Sequence, residues 1–296
     1  MVATMYKYHS SLIRNGICTL LISVGIAFAA SVQAATIQDY QAAVIAADKE
    51  QGPLPVMDQE GEILLPLSAA YLIQQELIRS RTDAGAVVAG FKAGLTTTQA
   101  QKKFGVDGPL VGVLMQGAKL EDPIYRLRPG HKTVVEQELA FRLKGDVLNS
   151  FGPQTPLSDI VDAVAPAIEV AGLGFTAKPS AFDIAANNVA NRAYWVGEWR
   201  PLIDVTRKAL TDTPVSLVCQ NTSVNTSTAG ATLDGQRSAI IWLLNAALRQ
   251  GYAPSKGQVL LTGSLGDMVP AKPCNYTATY GEFGSTPFSV VGAGPN

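Results

Sequence analysis

Histidine is nearly absent: the 296 residues hold two, His9 and His131. His9 falls in an N-terminal stretch expected to be removed, so His131 is the one imidazole left for chemistry. That argues against a Ser-His-Asp machine and against a histidine-rich zinc site. Cysteine is also scarce, at three residues. Cys18 lies inside the leading apolar run, which leaves Cys219 and Cys274, able to pair in an oxidising compartment though two cysteines alone do not establish it. Clustered basic charge is missing as well, so nothing suggests a nucleic-acid partner. No low-complexity tract, internal repeat or second apolar run of spanning length is found.

What is present begins with an export signature. Lys7 and Arg14 precede an uncharged run from Gly16 to about Ala30, which ends at Ser31-Val32-Gln33-Ala34. The run falls short of the roughly 20 residues a spanning helix needs. Small residues at its end suit cleavage after Ala34. The expectation is a signal peptide over 1–34, a periplasmic destination and no stable membrane span afterwards. Without Lys7 and Arg14 the formal charge of −1 becomes about −3.

Apolar spacing predicts helices over Thr36–Lys49 and Pro66–Arg81, an N-terminal helical arm spanning 35–85. From Ala86 the texture changes to short β-rich runs punctuated by glycine and proline, predicting one catalytic unit over 86–296. Strands are expected at Val87–Lys92, Thr133–Arg142, around Ile168, Ser216–Gln220, Val259–Thr262, Tyr276–Tyr280 and Phe288–Val291. Helices are expected at Thr97–Phe104, Leu157–Val164 and Gln236–Gln250, the last with Gly251 as its stop. The class is α+β: a twisted mixed sheet with helices outside it.

Four charges stand out. Glu136 and Glu138, two apart on a predicted strand, point the same way. Two close carboxylates raise each other's pKa unless a cation sits between them, although the wet side of an edge strand would show the same pattern. Glu169 stands alone in Pro166-Ala167-Ile168-Glu169-Val170-Ala171, where burying a carboxylate is costly unless it is paired or bound to metal. Lys92 is equally isolated in Phe91-Lys92-Ala93-Gly94. It either snorkels to the surface or faces an anionic ligand. Three carboxylates without histidine make an all-oxygen site suited to Mg²⁺ or Mn²⁺.

In order and spacing, Phe91-Lys92-Ala93-Gly94-Leu95-Thr96, Glu136-Gln137-Glu138-Leu139-Ala140, Ala165-Pro166-Ala167-Ile168-Glu169, Asp183 through Asn188, Trp242-Leu243-Leu244-Asn245 and Leu261-Thr262-Gly263-Ser264-Leu265 form a series. This series resembles the 2-keto-4-pentenoate hydratases and 4-oxalocrotonate decarboxylases of the fumarylacetoacetate hydrolase superfamily, from about Gly90 to Val291. The resemblance implies a strongly curved mixed sheet with peripheral helices and a homo-oligomer. It implies a metal held by Glu136, Glu138 and Glu169, Lys92 as a catalytic and substrate-contacting group, and Asp183, Asn188, Thr262 and Ser264 against a small 2-oxo or 2-hydroxydienoic acid. The implied reaction adds water to a 2-hydroxy-2,4-dienoate to give a 4-hydroxy-2-oxo acid. Decarboxylation of a 2-oxo diacid such as 4-oxalocrotonate is the alternative within the class, and an exported protein that only binds oxo acids is the alternative outside it. Three positions depart from the pattern: Leu110 in place of an acid, Leu173-Gly174 in place of Ser-Arg, and Asn187 in place of aspartate. The histidine-glutamate dyad of the hydrolases has no match.

Overall fold

A computed structural model describes residues 36–57 and 65–293. The expected signal segment, with Cys18 and His9, lies outside the described residues. Helix α1 covers residues 36–50 and α2 covers Leu67–Asp83. After them come β1 (Val88–Gly94), α3 (Thr98–Phe104), β2 (Leu110–Met115), β3 (Ile124–Arg126) and β4 (Thr133–Leu143). The middle of the chain forms α4 (Leu157–Ile160), β5 (Val161–Gly172), α5 (Ala181–Ala186), β6 (Asn191–Val196), β7 (Arg200–Pro201) and α6 (Ala209–Asp212). The last part holds β8 (Pro214–Cys219), β9 (Thr222–Thr228), α7 (Gln236–Arg249), β10 (Val259–Leu261), β11 (Val269–Pro270), β12 (Cys274–Thr279) and β13 (Ser285–Val291).

One expected helix is corrected. Leu157–Val164 is helical for a single turn, and the chain is already extended at Val161. Val161 and Val164 are β-branched and favour the strand, and Pro166 cannot continue a helix. Pairing with the whole length of β4 then decides the outcome, with residues of β4 matched from Thr133↔Gly172 to Leu143↔Val161. Pro166 falls where β5 changes partner, between β7 at Ala163–Val164 and β6 at Ala167–Ala171. A missing N–H is tolerated at such a gap.

Two sheets result. The larger runs β2-β1-β10-β4-β5-β6, with β11 on β4 and β7 on β5. Its β1–β10 pair is parallel and its β1–β2, β4–β5 and β5–β6 pairs are antiparallel, so the sheet is mixed. The smaller runs β3-β13-β12-β8-β9. The larger sheet curls strongly: Leu114 of β2, Ala140 of β4, Ala165 and Ala167 of β5, Tyr194 of β6 and Leu261 of β10 meet in one cluster across its hollow. Only a curved sheet lets strands so far apart in the order share side-chain contacts.

On the opposite face Val135, Leu139, Phe141, Ile168 and Val170 pack into the main core with Ile240, Leu243 and Leu244 of α7. Tyr40 and Val44 of α1 and Leu77 and Ile78 of α2 belong to that same core. The helical arm is further tied by Arg81, whose guanidinium donates to both oxygens of Asp48 at 2.9 and 2.6 Å. β4 is not an edge strand with a wet side. Apart from Arg142 it is buried along its length, because strands flank it on both sides and both its faces are covered.

Candidate metal and oxo-acid site

The hollow of the curled sheet gathers the isolated charges. Glu136 and Glu169 are direct cross-strand partners, so their side chains leave the same face side by side. Glu138 lies two residues along β4 on that face. One carboxylate oxygen from each of the three lies within 4.8 Å of the others. All three are buried, at 8%, 1% and 0% exposure. Lys92 enters from β1, 4% exposed, with its Nζ 2.9 Å from Glu169 Oε2. This contact is a buried ion pair, and Oε2 has no other protein partner among the described residues. The ammonium also donates to the Val189 carbonyl at 3.4 Å.

Electrostatics favour a cation. Burial first and the Glu169 charge second raise the Glu136 carboxyl to about 7, with Lys92 holding it back from rising further. Glu138 is pushed up for the same reasons, with relief from the Gly263 amide. Lys92 is held above its ordinary value: desolvation works against the ammonium, but Glu169, Glu136 and Glu138 outweigh it. Three ionised carboxylates and one ammonium leave two negative charges out of water, an expensive arrangement without a counter-ion. A divalent cation matches that deficit, and carboxylate oxygens suit a hard ion.

The surrounding backbone is built to hold this arrangement. Gly263, at φ +104°, turns its amide onto Glu138 Oε2 at 2.8 Å while Thr96 fills the space a side chain there would need. Asn188, Val189 and Ala190 are all left-handed, with φ of 54°, 51° and 57°. Each such non-glycine residue costs on the order of 1–2 kcal/mol. Gly94 makes room for the Val189 side chain, which a Cβ there would strike, and at Gly112 a Cβ would crowd Lys92 and the turn at Asn188–Val189. Beyond the turn, Asn191 donates its amide to Glu169 Oε1 at 2.9 Å.

The other expected site residues have different surroundings. Asp183 is buried and accepts from Tyr40 Oη at 2.9 Å, the Met57 amide at 2.8 Å and the Ser180 amide and hydroxyl at 2.8 and 2.6 Å. It closes a capping box on α5 and ties that helix to the arm. Asn188 clamps Val113, accepting from its amide at 2.7 Å and donating to its carbonyl at 2.8 Å. The Thr262 hydroxyl is wholly buried and donates to Gln236 Oε1 at 2.6 Å. Ser264 is partly buried, its hydroxyl 3.3 Å from the Gly266 carbonyl. Thus Lys92, Glu136, Glu138 and Glu169 converge, whereas the side-chain bonds of Asp183, Asn188 and Thr262 are spent within the fold.

The departing positions also have a shared explanation. The Asn187 amide donates to Tyr40 Oη and to the carbonyls of Pro55 and Asp183. The Gly174 carbonyl accepts from the Leu54 amide at 2.9 Å. Leu110 is fully buried in the main core. Two of the three therefore fasten the segment around residues 40–55. Asn191 was not foreseen from sequence, since a lone asparagine at a strand start carries no periodic signal. Surface clefts of about 350 Å³ beside Leu202 and Gly235 and about 560 Å³ beside Cys219 and Met268 are lined by none of Lys92, Glu136, Glu138 and Glu169.

Cys219 and Cys274 are joined in a disulfide, with Cα atoms 6.1 Å apart.

Comparison with known proteins agrees with this architecture. A 4-oxalocrotonate decarboxylase from Pseudomonas putida G7, solved with magnesium and adipate, matches over 86% of this chain and 97% of its own, with a TM-score of 0.76 and 21% identity. A fumarylacetoacetate hydrolase family protein from Yersinia pestis matches over 70% of this chain and 94% of its own, with a TM-score of 0.51 and 10% identity. These likenesses define the fold class, the curled mixed sheet of the fumarylacetoacetate hydrolase superfamily. In sequence, a 2-keto-4-pentenoate hydratase of Paraburkholderia xenovorans is 30% identical over 209 residues, covering 69% of this chain and 76% of the relative. A 4-oxalocrotonate decarboxylase of a Pseudomonas species is 27% identical over 242 residues, covering 78% and 90%. No family model matches the chain. The chain belongs to the 2-keto-4-pentenoate hydratase family.

Proposed function

We propose that this protein is a divalent-metal-dependent hydratase that adds water to a 2-hydroxy-2,4-dienoate to give a 4-hydroxy-2-oxo acid. The observation that carries the reading is the buried trio Glu136, Glu138 and Glu169 with Lys92 against it. Among the relatives with which it shares 30% identity is a 2-keto-4-pentenoate hydratase. Glu136, Glu138 and Glu169 would hold Mg²⁺ or Mn²⁺, which when bound supplies a Lewis acid for the negative charge that develops on the 2-oxygen and carboxylate of the substrate.

The remaining work falls to the chain itself. Lys92 stays protonated, because its acidic neighbours hold its pKa up. Its part is to attract the anionic substrate and to present a proton to developing negative charge, not to act as a base. The apolar floor of the hollow, with Leu114, Ala140, Ala165, Ala167 and Leu261, keeps bulk water away and strengthens every charge interaction above it. Fixed donors at Gly263 and Asn191 keep two of the carboxylates from reorganising when substrate arrives.

Decarboxylation of a 2-oxo diacid is the second reading, favoured by the decarboxylase relative that shares 78% of this chain's length. Both reactions need the same cluster. The test is to assay the purified protein against 2-hydroxydienoates and against 4-oxalocrotonate, with Mg²⁺, with Mn²⁺ and with chelator. Water addition that requires the cation is the expected result. Carbon dioxide release without hydration would move the assignment to the decarboxylases, and full turnover in chelator would end the metal mechanism.

The same reading extends to location and to the small-molecule partner. We place the protein in an oxidising, exported compartment, which the leading apolar run and the Cys219–Cys274 bond support.

A further inference from the structure

We infer that Asn191 is a positioning residue that sets which cation the site accepts, by restricting Glu169 to a single ligating oxygen. This rests on reading the glutamate trio as a cation site. Both oxygens of a carboxylate are equivalent until the protein distinguishes them. Here Asn191 Nδ2 takes Glu169 Oε1 at 2.9 Å, and Oε2 is left facing the Lys92 ammonium at 2.9 Å as the one oxygen turned into the trio. Glu138 is treated alike, with Oε2 taken by the Gly263 amide at 2.8 Å. No protein donor among the described residues bonds the Glu136 carboxylate. Two of the three carboxylates are thereby confined to one-oxygen ligation.

The placement of Asn191 is engineered by strained backbone. Three consecutive left-handed residues, Asn188 to Ala190, carry the chain from α5 into β6. Their first member is clamped on both polar groups of Val113. Val189 at the centre is β-branched, and its φ of 51° is rarely adopted by such a residue. Strain of this kind persists only where surrounding structure enforces it. What it delivers at its exit is the Asn191 amide on Glu169, in a residue only 8% exposed.

Ligation through single oxygens discriminates between cations. Mg²⁺ takes six ligands at about 2.0–2.1 Å in near-octahedral geometry, whereas Ca²⁺ takes six to eight at about 2.3–2.6 Å and readily accepts both oxygens of one carboxylate. Single-oxygen ligation by Glu138 and Glu169 keeps the number of protein oxygens low, which suits a small ion that keeps water or substrate oxygens among its ligands better than it suits Ca²⁺. Asn191 therefore favours the small ion, and removing its amide would free Glu169 Oε1 to close on the larger one.

The test measures dissociation constants for Mg²⁺ and Ca²⁺ by calorimetry, with the melting shift each cation produces, in the wild type, in Asn191→Ala and in the near-isosteric Asn191→Leu. No turnover is required. The wild type should bind Mg²⁺ more tightly than Ca²⁺. In either variant the ratio should move toward Ca²⁺ by at least about fivefold, in keeping with the effect of groups that orient metal ligands. Affinities that fall equally for both ions, with the ratio unchanged, would make Asn191 a merely structural residue and overturn the inference. If the wild type binds neither ion, the cation-site reading itself is overturned and this one goes with it. Asn191→Leu keeps the comparison open if the alanine variant does not fold.

Discussion

The two faces of β4 carry the same degree of burial and opposite meanings. Gln137 points away from the hollow and is 1% exposed. Its amide donates to the Ser216 carbonyl at 3.0 Å, and its carbonyl oxygen accepts from Asn225 at 3.0 Å. Asn225 donates also to the Leu265 carbonyl at 2.8 Å. This is a neutral network with its partners supplied by the second sheet. One residue on, Glu138 is equally buried but has a single protein donor and two carboxylates of its own sign nearby. A buried polar group that is neutral and paired stabilises a fold. One that is charged and under-paired marks a place where something else is expected to bind.

Exchanging charge for neutrality on the hollow side breaks that comparison most severely. Glu136→Gln keeps shape and removes one ligating charge. Turnover supported by Mg²⁺ should fall by about a thousandfold or more, in line with losing a principal electrostatic contact of the transition state. The melting increment given by Mg²⁺ should shrink with it, while the circular dichroism spectrum stays unchanged. Retention of both activity and increment would show that the trio does not hold the cation.

The opposite face should answer in stability instead. Gln137→Leu removes both hydrogen bonds and leaves Asn225 and Ser216 short of partners, a loss of roughly 1–3 kcal/mol. Denaturant unfolding would report it as a lower midpoint. The Mg²⁺ affinity of the folded variant should remain near that of the wild type. A large change in affinity would mean that the two faces are not separable as argued.

Much of this was legible before coordinates. Glu136 and Glu138 follow from the two-residue period of a strand, and Glu169 from its isolation in an apolar run. The helices α1, α2 and α7 follow from their apolar spacing. The cross-strand meeting of Glu136 with Glu169 was not legible, because register between β4 and β5 is set by pairing over eleven residues and not by either segment alone. The early end of the helix at Leu157 has the same cause. The resemblance places Asn188 and Asp183 against a substrate; their hydrogen-bond partners Val113, Tyr40 and Met57 come from distant parts of the chain, and no local pattern announces them. The left-handed turn over 188–190 contains no glycine, and of its three residues only Asn188 is of a type that often adopts that conformation. Val189 is accommodated by the space at Gly94, and Asn188 is held by Val113.

The finest separation between the faces lies in their response to pH. Gln137 does not titrate, but Glu136 has its carboxyl raised to about 7 from an ordinary value near 4.5 by burial and by Glu169. Between these two values the folded chain holds a proton that the unfolded chain has released, so stability falls as pH rises through that window. Below it both states are protonated and the penalty is gone; above it the penalty is complete. Cation binding competes with that proton. The Mg²⁺-induced rise in Tm should therefore be small at pH 5 and clearly larger at pH 8, with Glu138, whose carboxyl is pushed up as well, adding to the dependence. Without cation, Glu136→Gln should gain on the wild type over the same interval, whereas Gln137→Leu should keep a constant offset. Equal Mg²⁺ increments at pH 5 and pH 8 would show that Glu136 is already ionised throughout, and that its neighbours compensate its charge without help from a metal.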